Sequence, residues 1–339
     1  MLTQKGDRFE MKKMIAACLA VVFGLFAGGC LNGAGIEWGH VPSGTFADPG
    51  GLPAFGSQLL DGWGILYTLK AGSFDPDHRS GCARKTYDTY QKAYAVLIKG
   101  GKEFSMSAEG SADRVEFTYP ANWNQILWPE KKEIALQVAE YVAYNSMVWH
   151  EMLTWKDARL FLGLSDFESA FSWEDIFCDL YGAKVAIQSI KMGGNFERNV
   201  TDLTWKQLQE WQVVSMQRAI EIADSVKGSW WKRELISVHS NILMRNMDIG
   251  CDDGWVTASL IPGYYNGEPV SLEAPKLDLL DKYGVKMKYT ITSMYSQGGE
   301  LRRLAGVNMS AVEPQRDFCK IIYQLQKEAV EKYRFKIAK

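Results

Sequence analysis

The sequence lacks the short motifs that identify the commonest enzyme families. It has no GxSxG turn, no Walker phosphate loop and no GxGxxG dinucleotide motif. It has six cysteines without a CxxC pair, which argues against a zinc ribbon and a thioredoxin-like redox site. Its 38 basic and 40 acidic residues give a net charge of −2. No broad basic field exists to hold nucleic acid, so we expect no nucleic-acid partner.

Long apolar runs are also missing, except over residues 14–30. A transmembrane helix needs about 20 apolar residues, so this segment is too short to cross a bilayer comfortably. Lys12 and Lys13 precede it, and the small pair Gly28-Gly29 stands directly before Cys30. A positive start, an apolar middle and small residues before a cysteine are typical of a bacterial lipoprotein signal peptide. The pattern predicts cleavage after residues 1–29 and lipidation of Cys30.

The predicted lipid attaches the chain to a membrane without a spanning helix and places it in the bacterial cell envelope. Leu31, rather than an aspartate, follows the cysteine, which favours the periplasmic face of the outer membrane. Met11 directly precedes the two lysines and is a candidate for the true start. Cys18 lies too early to follow an apolar region, so it is not the predicted lipidation site. The alternative is an ordinary secretory signal with an unmodified cysteine.

The rest of the chain predicts one large α+β domain that is mainly α-helical, with a few short strands that include a β-hairpin. Residues 30–62 are rich in Gly, Pro and Ser and are interpreted as a lipid-anchored tether and a loop leading into the domain, residues 63–339. The predicted helices run from Pro76 to about Lys99, from Glu130 to about Leu162, from a capping box at Ser172, from Thr204 to Gly228 and from Pro314 to about Tyr333. The predicted strands are Gly64–Leu69, a hairpin over residues 103–119, and Lys286–Met294.

Four cysteines remain after the predicted lipidation site, and all four are far apart in the sequence: Cys82, Cys178, Cys251 and Cys319. In an oxidising envelope they can form one or two disulfides. They can equally be buried free thiols, because cysteine is often a small core residue. The sequence leaves both interpretations open.

His150 and Glu151 lie in the predicted Glu130 helix, which is apolar on two faces. Thr154 lies about 40° around the helix from His150, and Glu151 about 100°, so the three polar groups share one side. Buried polar groups need hydrogen-bond partners or a ligand. The HExxT pattern lacks the second histidine of the HExxH zinc proteases, with Thr154 in its place, so it gives no zinc-protease assignment.

His78 follows Asp75 at a predicted loop-to-helix junction, a frequent location for ligand-binding residues. If His78 faces His150, the two histidines can bind a divalent metal such as zinc, with Glu151 or Asp75 as a further ligand. The alternative is structural. Asp75 then only caps the helix, and His150 and Glu151 form hydrogen bonds inside the core.

Other acidic residues have a simpler interpretation. Glu174 and Asp175 lie in a predicted first helical turn, where the helix dipole favours acids. Asp252 and Asp253 precede Gly254 in a turn pattern that can also deliver a carboxylate to a site. Asp248 lies just before them, but the segment does not have the ligand spacing of an EF-hand loop.

Several of these segments together resemble a family of bacterial lipoproteins of uncharacterised activity, catalogued as a domain of unknown function. The resemblance covers about 190 residues, and its segments occur in the expected order. It implies an envelope lipoprotein whose polar motifs form one family feature, and it implies no particular reaction. The matching segments are residues 64–68, 74–79, 149–155, 169–175, 245–250 and 252–254.

Two functional hypotheses follow from a buried helix that carries His150 and Glu151. The first is an envelope hydrolase with a metal or a His–Glu acid–base pair, in which Glu151 activates water and His78 and His150 act as ligands or bases. The second is a non-catalytic binding or structural lipoprotein, in which the same residues form a buried hydrogen-bond network. The two differ in whether the side chains converge beside an accessible site.

Overall fold

The computed structural model describes residues 64–108, 110–156, 167, 169–232, 242–306 and 310–338. The predicted signal peptide, Cys30 and the tether lie outside these residues. Within them the chain forms eight α-helices, which are α1 (Pro76–Lys99), α2 (Trp128–Trp155), α3 (Asp175–Met192), α4 (Phe196–Glu210), α5 (Met216–Asp224), α6 (Asp278–Lys282), α7 (Ser296–Leu304) and α8 (Pro314–Glu331). The strands are β1 (Leu66–Thr68), β2 (Gly72–Phe74), β3 (Glu103–Ala108), β4 (Ser111–Thr118), β5 (Met244–Arg245), β6 (Trp255–Thr257), β7 (Ser271–Glu273), β8 (Lys286–Ser293) and β9 (Lys336–Ile337).

Helix α1 has the start and end that the sequence predicts. The Asp75 side chain accepts hydrogen bonds from the backbone N–H groups of Asp77 and His78, and Pro76 occupies the first turn. These contacts satisfy donors that have no partner within the helix. Gly100 ends the helix in the left-handed conformation, with φ of 65°.

Helix α2 is buried along most of its length, as its two apolar faces indicate. Its buried residues include Ile134, Ala139, Val148 and Met152. It ends at Trp155, where the backbone N–H of the following residue, Lys156, donates to the carbonyl of Leu153. The prediction that this helix continues to about Leu162 is therefore wrong, because it ends before Lys156. Residues 157–166 lie outside the described part of the chain.

The single helix predicted from Thr204 to Gly228 is wrong. Asn195 caps α4, so Thr204 lies inside that helix, and Ser215 caps a separate helix α5. Between them Gln212 adopts a φ of 62°. The intervening backbone bonds to the β1 hairpin instead: the N–H of Val214 donates to the carbonyl of Tyr67 over 2.9 Å. A tertiary strand contact thus overrides a continuous helical pattern of apolar residues.

The principal sheet has three antiparallel strands in the order β3-β4-β8. The predicted hairpin forms between β3 and β4, with Phe104 opposite Val115. The strand predicted over Lys286–Met294 is β8, and it pairs with β4 from Thr118 opposite Lys286 to Ser111 opposite Ser293. The mainly helical α+β prediction is confirmed. The remaining strands form three two-stranded sheets.

The cysteines show both behaviours that the sequence left open. Cys251 and Cys319 form a disulfide that joins the turn before β6 to helix α8. Cys82 and Cys178 are buried free thiols. Among the described residues, no helix is long and apolar enough to cross a membrane.

Helices α1 and α3 pack closely at Gly182. A Cβ atom there would overlap the backbone carbonyl oxygen of Arg79 in α1, whereas a Cβ at Gly81 would lie 3.8 Å from the Met147 side chain. We predict that Gly182→Ala lowers the free energy of unfolding by about 1–3 kcal/mol, because backbone must move. The matched change Gly81→Ala should raise it by up to about 1 kcal/mol. Urea unfolding of both variants tests this difference, and equal midpoints would contradict it.

Candidate functional site

The ends of three helices bring His78, Glu151 and Asp175 together. One candidate metal-ligand atom from each residue lies within 4.8 Å of the others. His78 lies in the first turn of α1, Glu151 near the end of α2, and Asp175 is the first residue of α3. The amino-terminal ends of α1 and α3 carry partial positive charge, which favours carboxylates at this point.

Both nitrogens of the His78 ring face carboxylates. Nδ1 lies 3.2 Å from Oδ1 of Asp179, and Nε2 lies 3.4 Å from Oδ1 of Asp175. Asp175 and Asp179 are one turn apart on α3, so a single helix face holds both edges of the ring. A proton on Nδ1 can donate to Asp179, which fixes the ring and turns Nε2 toward the other two members of the cluster.

Asp175 is also bonded to the segment that precedes its own helix. Its Oδ2 accepts the backbone N–H of Ser172 over 2.8 Å, and Oγ of Ser172 lies 3.1 Å from Oδ1. The same hydroxyl lies 3.1 Å from Oε1 of Glu174. The capping-box residues therefore do bond to each other, although α3 begins at Asp175 rather than directly after Ser172.

Glu151 is held by a backbone donor in an unusual conformation. Its Oε2 accepts the N–H of Phe171 over 2.7 Å, and Phe171 has a φ of 55°. Left-handed backbone is unfavourable for a bulky residue and is maintained only where surrounding contacts require it. The carbonyl of Phe171 accepts the N–H of Asn246, and the carbonyl of Ala170 accepts from the Arg245 guanidinium. The loop over 169–174 is thus fixed on both sides.

Burial of these acids perturbs their protonation. It raises the pKa of Glu151 to about 7, with Asp175 adding to the shift. It raises the pKa of Asp175 to about 8; the charge on His78 opposes this shift, and Glu174 adds to it. Burial also raises the pKa of Asp179. Burial alone would lower the pKa of His78, but the negative charges of Asp175 and Asp179 raise it well above its usual value.

Solvent reaches the cluster from the His78 side. The His78 side chain is 22% exposed, whereas the side chains of Asp175 and Asp179 are 4% and 0% exposed. The exposed part of the cluster is therefore the His78 ring, and the carboxylates of Asp175 and Asp179 lie buried behind it.

The other histidine and the threonine of the sequence motif are placed differently. His150 is not among the three residues whose candidate ligand atoms converge. His150 nevertheless acts on its neighbour electrostatically, in the direction that lowers the pKa of Glu151. Thr154 is buried, and its hydroxyl donates to the backbone carbonyl of His150 over 2.9 Å within helix α2.

The remaining acids from the sequence analysis lie around the cluster or in a turn. Asp75 caps α1, and its charge raises the pKa of His78. Asp248 accepts the backbone N–H groups of Gly250 and Thr257. Asp253 accepts the N–H of Trp255, and Asp252 accepts the hydroxyl of Tyr323. These bonds shape the turn that leads into β6.

Asp179 is the residue that the sequence analysis missed. It lies among apolar side chains in α3 and is fully buried. Its spacing of four residues from Asp175 was the available signal, because residues at i and i+4 share a helix face. Two acids on one buried face require a positive partner, and His78 supplies it.

The chain belongs to a family whose model is described as a protein of unknown function, DUF4056. The match covers residues 55–254 and so includes all three residues of the cluster as well as Asp179. No curated protein and no solved structure matched the chain.

The raised carboxyl pKa values predict the direction in which the stability of the protein changes with pH. Between about pH 4 and pH 8 the folded cluster binds more protons than the unfolded chain, so its contribution to stability falls as pH rises. His78 acts in the same direction, because its raised folded pKa stabilises most at low pH. We predict that Asp175→Asn costs more stability relative to wild type at pH 5 than at pH 8, measured by urea unfolding with a chelator present.

Asp253→Asn is the matched control for this pH experiment. Asp253 lies in an exposed turn and accepts a backbone N–H that asparagine can also bind. Because Asp253 is not part of the cluster, the difference between the cost of Asp253→Asn at pH 5 and at pH 8 should be smaller than that of Asp175→Asn. A cost of Asp175→Asn that is equal at pH 5 and pH 8, or larger at pH 8, would contradict the assignment of the shifted protons to this cluster.

Proposed function

We propose that this protein is a lipid-anchored envelope hydrolase that binds one divalent cation through His78, Glu151 and Asp175. The observation that carries the proposal is the double contact of His78, with Asp179 on Nδ1 and the cluster on the Nε2 side. Metal-binding histidines usually donate their other ring N–H to a carboxylate, which fixes the ring and makes it a stronger ligand.

The charge balance of the cluster supports a cation. Glu151, Asp175 and Asp179 are buried around a single imidazole. Buried carboxylates are unfavourable unless they are protonated, paired or bound to metal. In the cation-free protein, burial raises the carboxyl pKa values of Glu151 and Asp175, so bound protons compensate part of this charge. A divalent cation replaces those protons, so its affinity increases with pH.

The donor set suits a catalytic site better than a closed structural one. One imidazole nitrogen and two carboxylates match zinc, and also manganese or ferrous iron, whereas thiolate-selective ions lack their preferred ligand. Three protein ligands leave a position for water. When bound, such a cation lowers the pKa of that water and polarises a substrate oxygen.

Glu151 and His150 are the residues that would take part in proton transfer at the proposed site. Phe171 fixes Oε2 of Glu151 through its backbone N–H, so the carboxylate has one defined orientation. In the cation-free protein burial raises the pKa of Glu151 to about 7, so Glu151 would release a proton near neutral pH when it becomes a ligand of the cation. His150 adjoins Glu151 in the chain and is the candidate for passing that proton to solvent.

The predicted lipid on Cys30 supports a location in the cell envelope, at the periplasmic face of the outer membrane. The apolar segment 14–30 with its preceding lysines carries this part of the proposal. The anchoring is independent of the cation site, so either part can fail without the other.

A non-catalytic structural protein is the second candidate, and the deep burial of Glu151, Asp175 and Asp179 favours it. In that case the bonds of His78, Ser172 and Phe171 form a network that joins α1, α2 and α3 and fixes one arrangement of the core. A protein with such a network needs no cation.

Cation binding distinguishes the two candidates. We predict about one zinc or manganese ion per chain by elemental analysis after dialysis against the metal, as one set of ligands implies. His78→Ala and Asp175→Asn should lose it. His150→Ala should retain it and is the matched histidine control. Absence of metal from the folded wild-type chain would leave the structural network and remove the hydrolase.

Lipidation has its own test. The full chain should incorporate labelled fatty acid when expressed in a bacterium, and Cys30→Ser should abolish the incorporation. Cys18→Ser should leave it intact, because Cys18 lies before most of the apolar segment. Incorporation that survives Cys30→Ser would contradict the predicted anchor.

A further inference from the structure

Exposed apolar side chains lie at the end of the helical layer opposite the His78 cluster. Leu127 and Trp128, at the start of α2, are 64% and 66% exposed, and Met192, the last residue of α3, is 58% exposed. We call these three residues the apolar patch. Leu127 and Trp128 are adjacent in the chain, and exposed apolar side chains that lie next to one another can mark an interaction surface.

Two contacts show that the apolar patch lies at the end of helices α1, α2 and α3 that is far from the His78 cluster. The indole N–H of Trp123, just before the patch, donates to the carbonyl of Leu97 in the last turn of α1. Lys191 of α3 forms a 2.8 Å ion pair with Glu133 of α2. Helices α1 and α3 therefore run from the cluster to the patch, and α2 runs back.

Three lysines lie at the same end of the helices as the apolar patch. Lys99 ends α1, Lys102 follows it and both are exposed, while Lys132 is partly exposed in the first turns of α2. Of the acids at this end, Glu103 is ion-paired with Arg114 and Glu133 with Lys191, so Glu130 in the first turn of α2 is the acid that stands against the three lysines. This end of the molecule thus combines apolar side chains with available positive charge.

We propose that the apolar patch and its lysines dock onto an anionic phospholipid surface. Tryptophan prefers the boundary between hydrocarbon and headgroups, and lysines beside it are attracted to anionic lipids. This inference rests on the lipid anchoring at Cys30 and not on the cation site. The chain from Cys30 to Gly64 can extend to at most about 120 Å, so the patch can reach the anchoring membrane.

Anchoring makes a small patch sufficient. A tethered surface meets the bilayer at an effective concentration set by the tether, so weak contacts are occupied without any additional affinity. The lipid on Cys30 holds the protein at the membrane, and the patch determines which end of the molecule faces it.

Docking through this end has a geometric consequence for the cluster. Helix α1 has 24 residues and is about 36 Å long. With Lys99 at the bilayer and α1 along the membrane normal, His78 would lie roughly 30 Å from the headgroups, on the side that faces away from the membrane. The cluster would then be open to soluble or cell-wall substrates and not to the lipid itself.

Quenching of tryptophan fluorescence by brominated lipids tests the docking. The acylated full-length chain is reconstituted into phosphatidylethanolamine–phosphatidylglycerol vesicles carrying brominated acyl chains. Trp128→Phe should remove most of the quenched amplitude, whereas Trp205→Phe and Trp255→Phe, which alter other exposed tryptophans, should not. Quenching should fall several-fold when the wild-type chain is placed in phosphatidylcholine vesicles, and also in the triple variant Lys99→Gln, Lys102→Gln and Lys132→Gln in the anionic vesicles.

The outcomes separate anchoring from docking. If the chain does not float with the vesicles, both proposals fall. If it floats and the Trp128→Phe variant is quenched as strongly as wild type, the docking proposal is wrong and the anchoring proposal is retained. If Leu127→Ser with Trp128→Ser instead lowers the mass of the detergent-solubilised particle, the patch joins two copies of this chain and the lipid proposal is overturned.

Discussion

The rest of the structure depends on the burial of Glu151, Asp175 and Asp179 around one imidazole. Charges buried in this way must be neutralised or hydrogen-bonded, and helix α1 and the loop before α3 both supply groups that do so. The cap of α1 places His78 in reach of α3. The loop before α3 supplies the N–H groups of Phe171 and Ser172, which donate to Glu151 and Asp175. The backbone of Phe171 adopts a positive φ in this loop. The strain in this loop is thus matched by a specific bond to the cluster.

This constraint gives the helical layer two chemically different ends. At one end, the starts of α1 and α3 meet the end of α2, and their dipoles favour anions. At the other end, the chain exposes Leu127, Trp128 and Met192 beside lysines. The proposed lipid tether alone would give the domain no fixed orientation. The proposed docking of the apolar end with its lysines would supply one and direct the polar end away from the bilayer.

The sequence predicted those features that depend on local chemistry. Asp75 and Pro76 define the start of α1 and Gly100 its end, because caps act within one turn. The β3–β4 hairpin follows from strict alternation. The break between α4 and α5 could not be found in this way, since it depends on Val214 bonding to Tyr67, which is far away in the chain. Local periodicity contains no information about such a contact.

The site shows the same division. His78 and Glu151 were identified as polar residues in places that need a partner, and the fold brings them together with Asp175. The sequence did not reveal that Asp179 rather than His150 would be the immediate partner of His78. That choice depends on the packing of α1 against α3, where Gly182 permits close approach. The neighbour of a buried side chain is a property of helix packing, which no single motif contains.

X-ray absorption spectroscopy of the zinc-loaded protein shows whether His78 is a ligand of the cation. We expect only nitrogen and oxygen ligands, at about 2.0–2.2 Å, with the multiple-scattering signature of one imidazole that disappears in His78→Ala. A shell containing sulfur, a shell without imidazole, or an imidazole signal unchanged by His78→Ala would contradict this expectation.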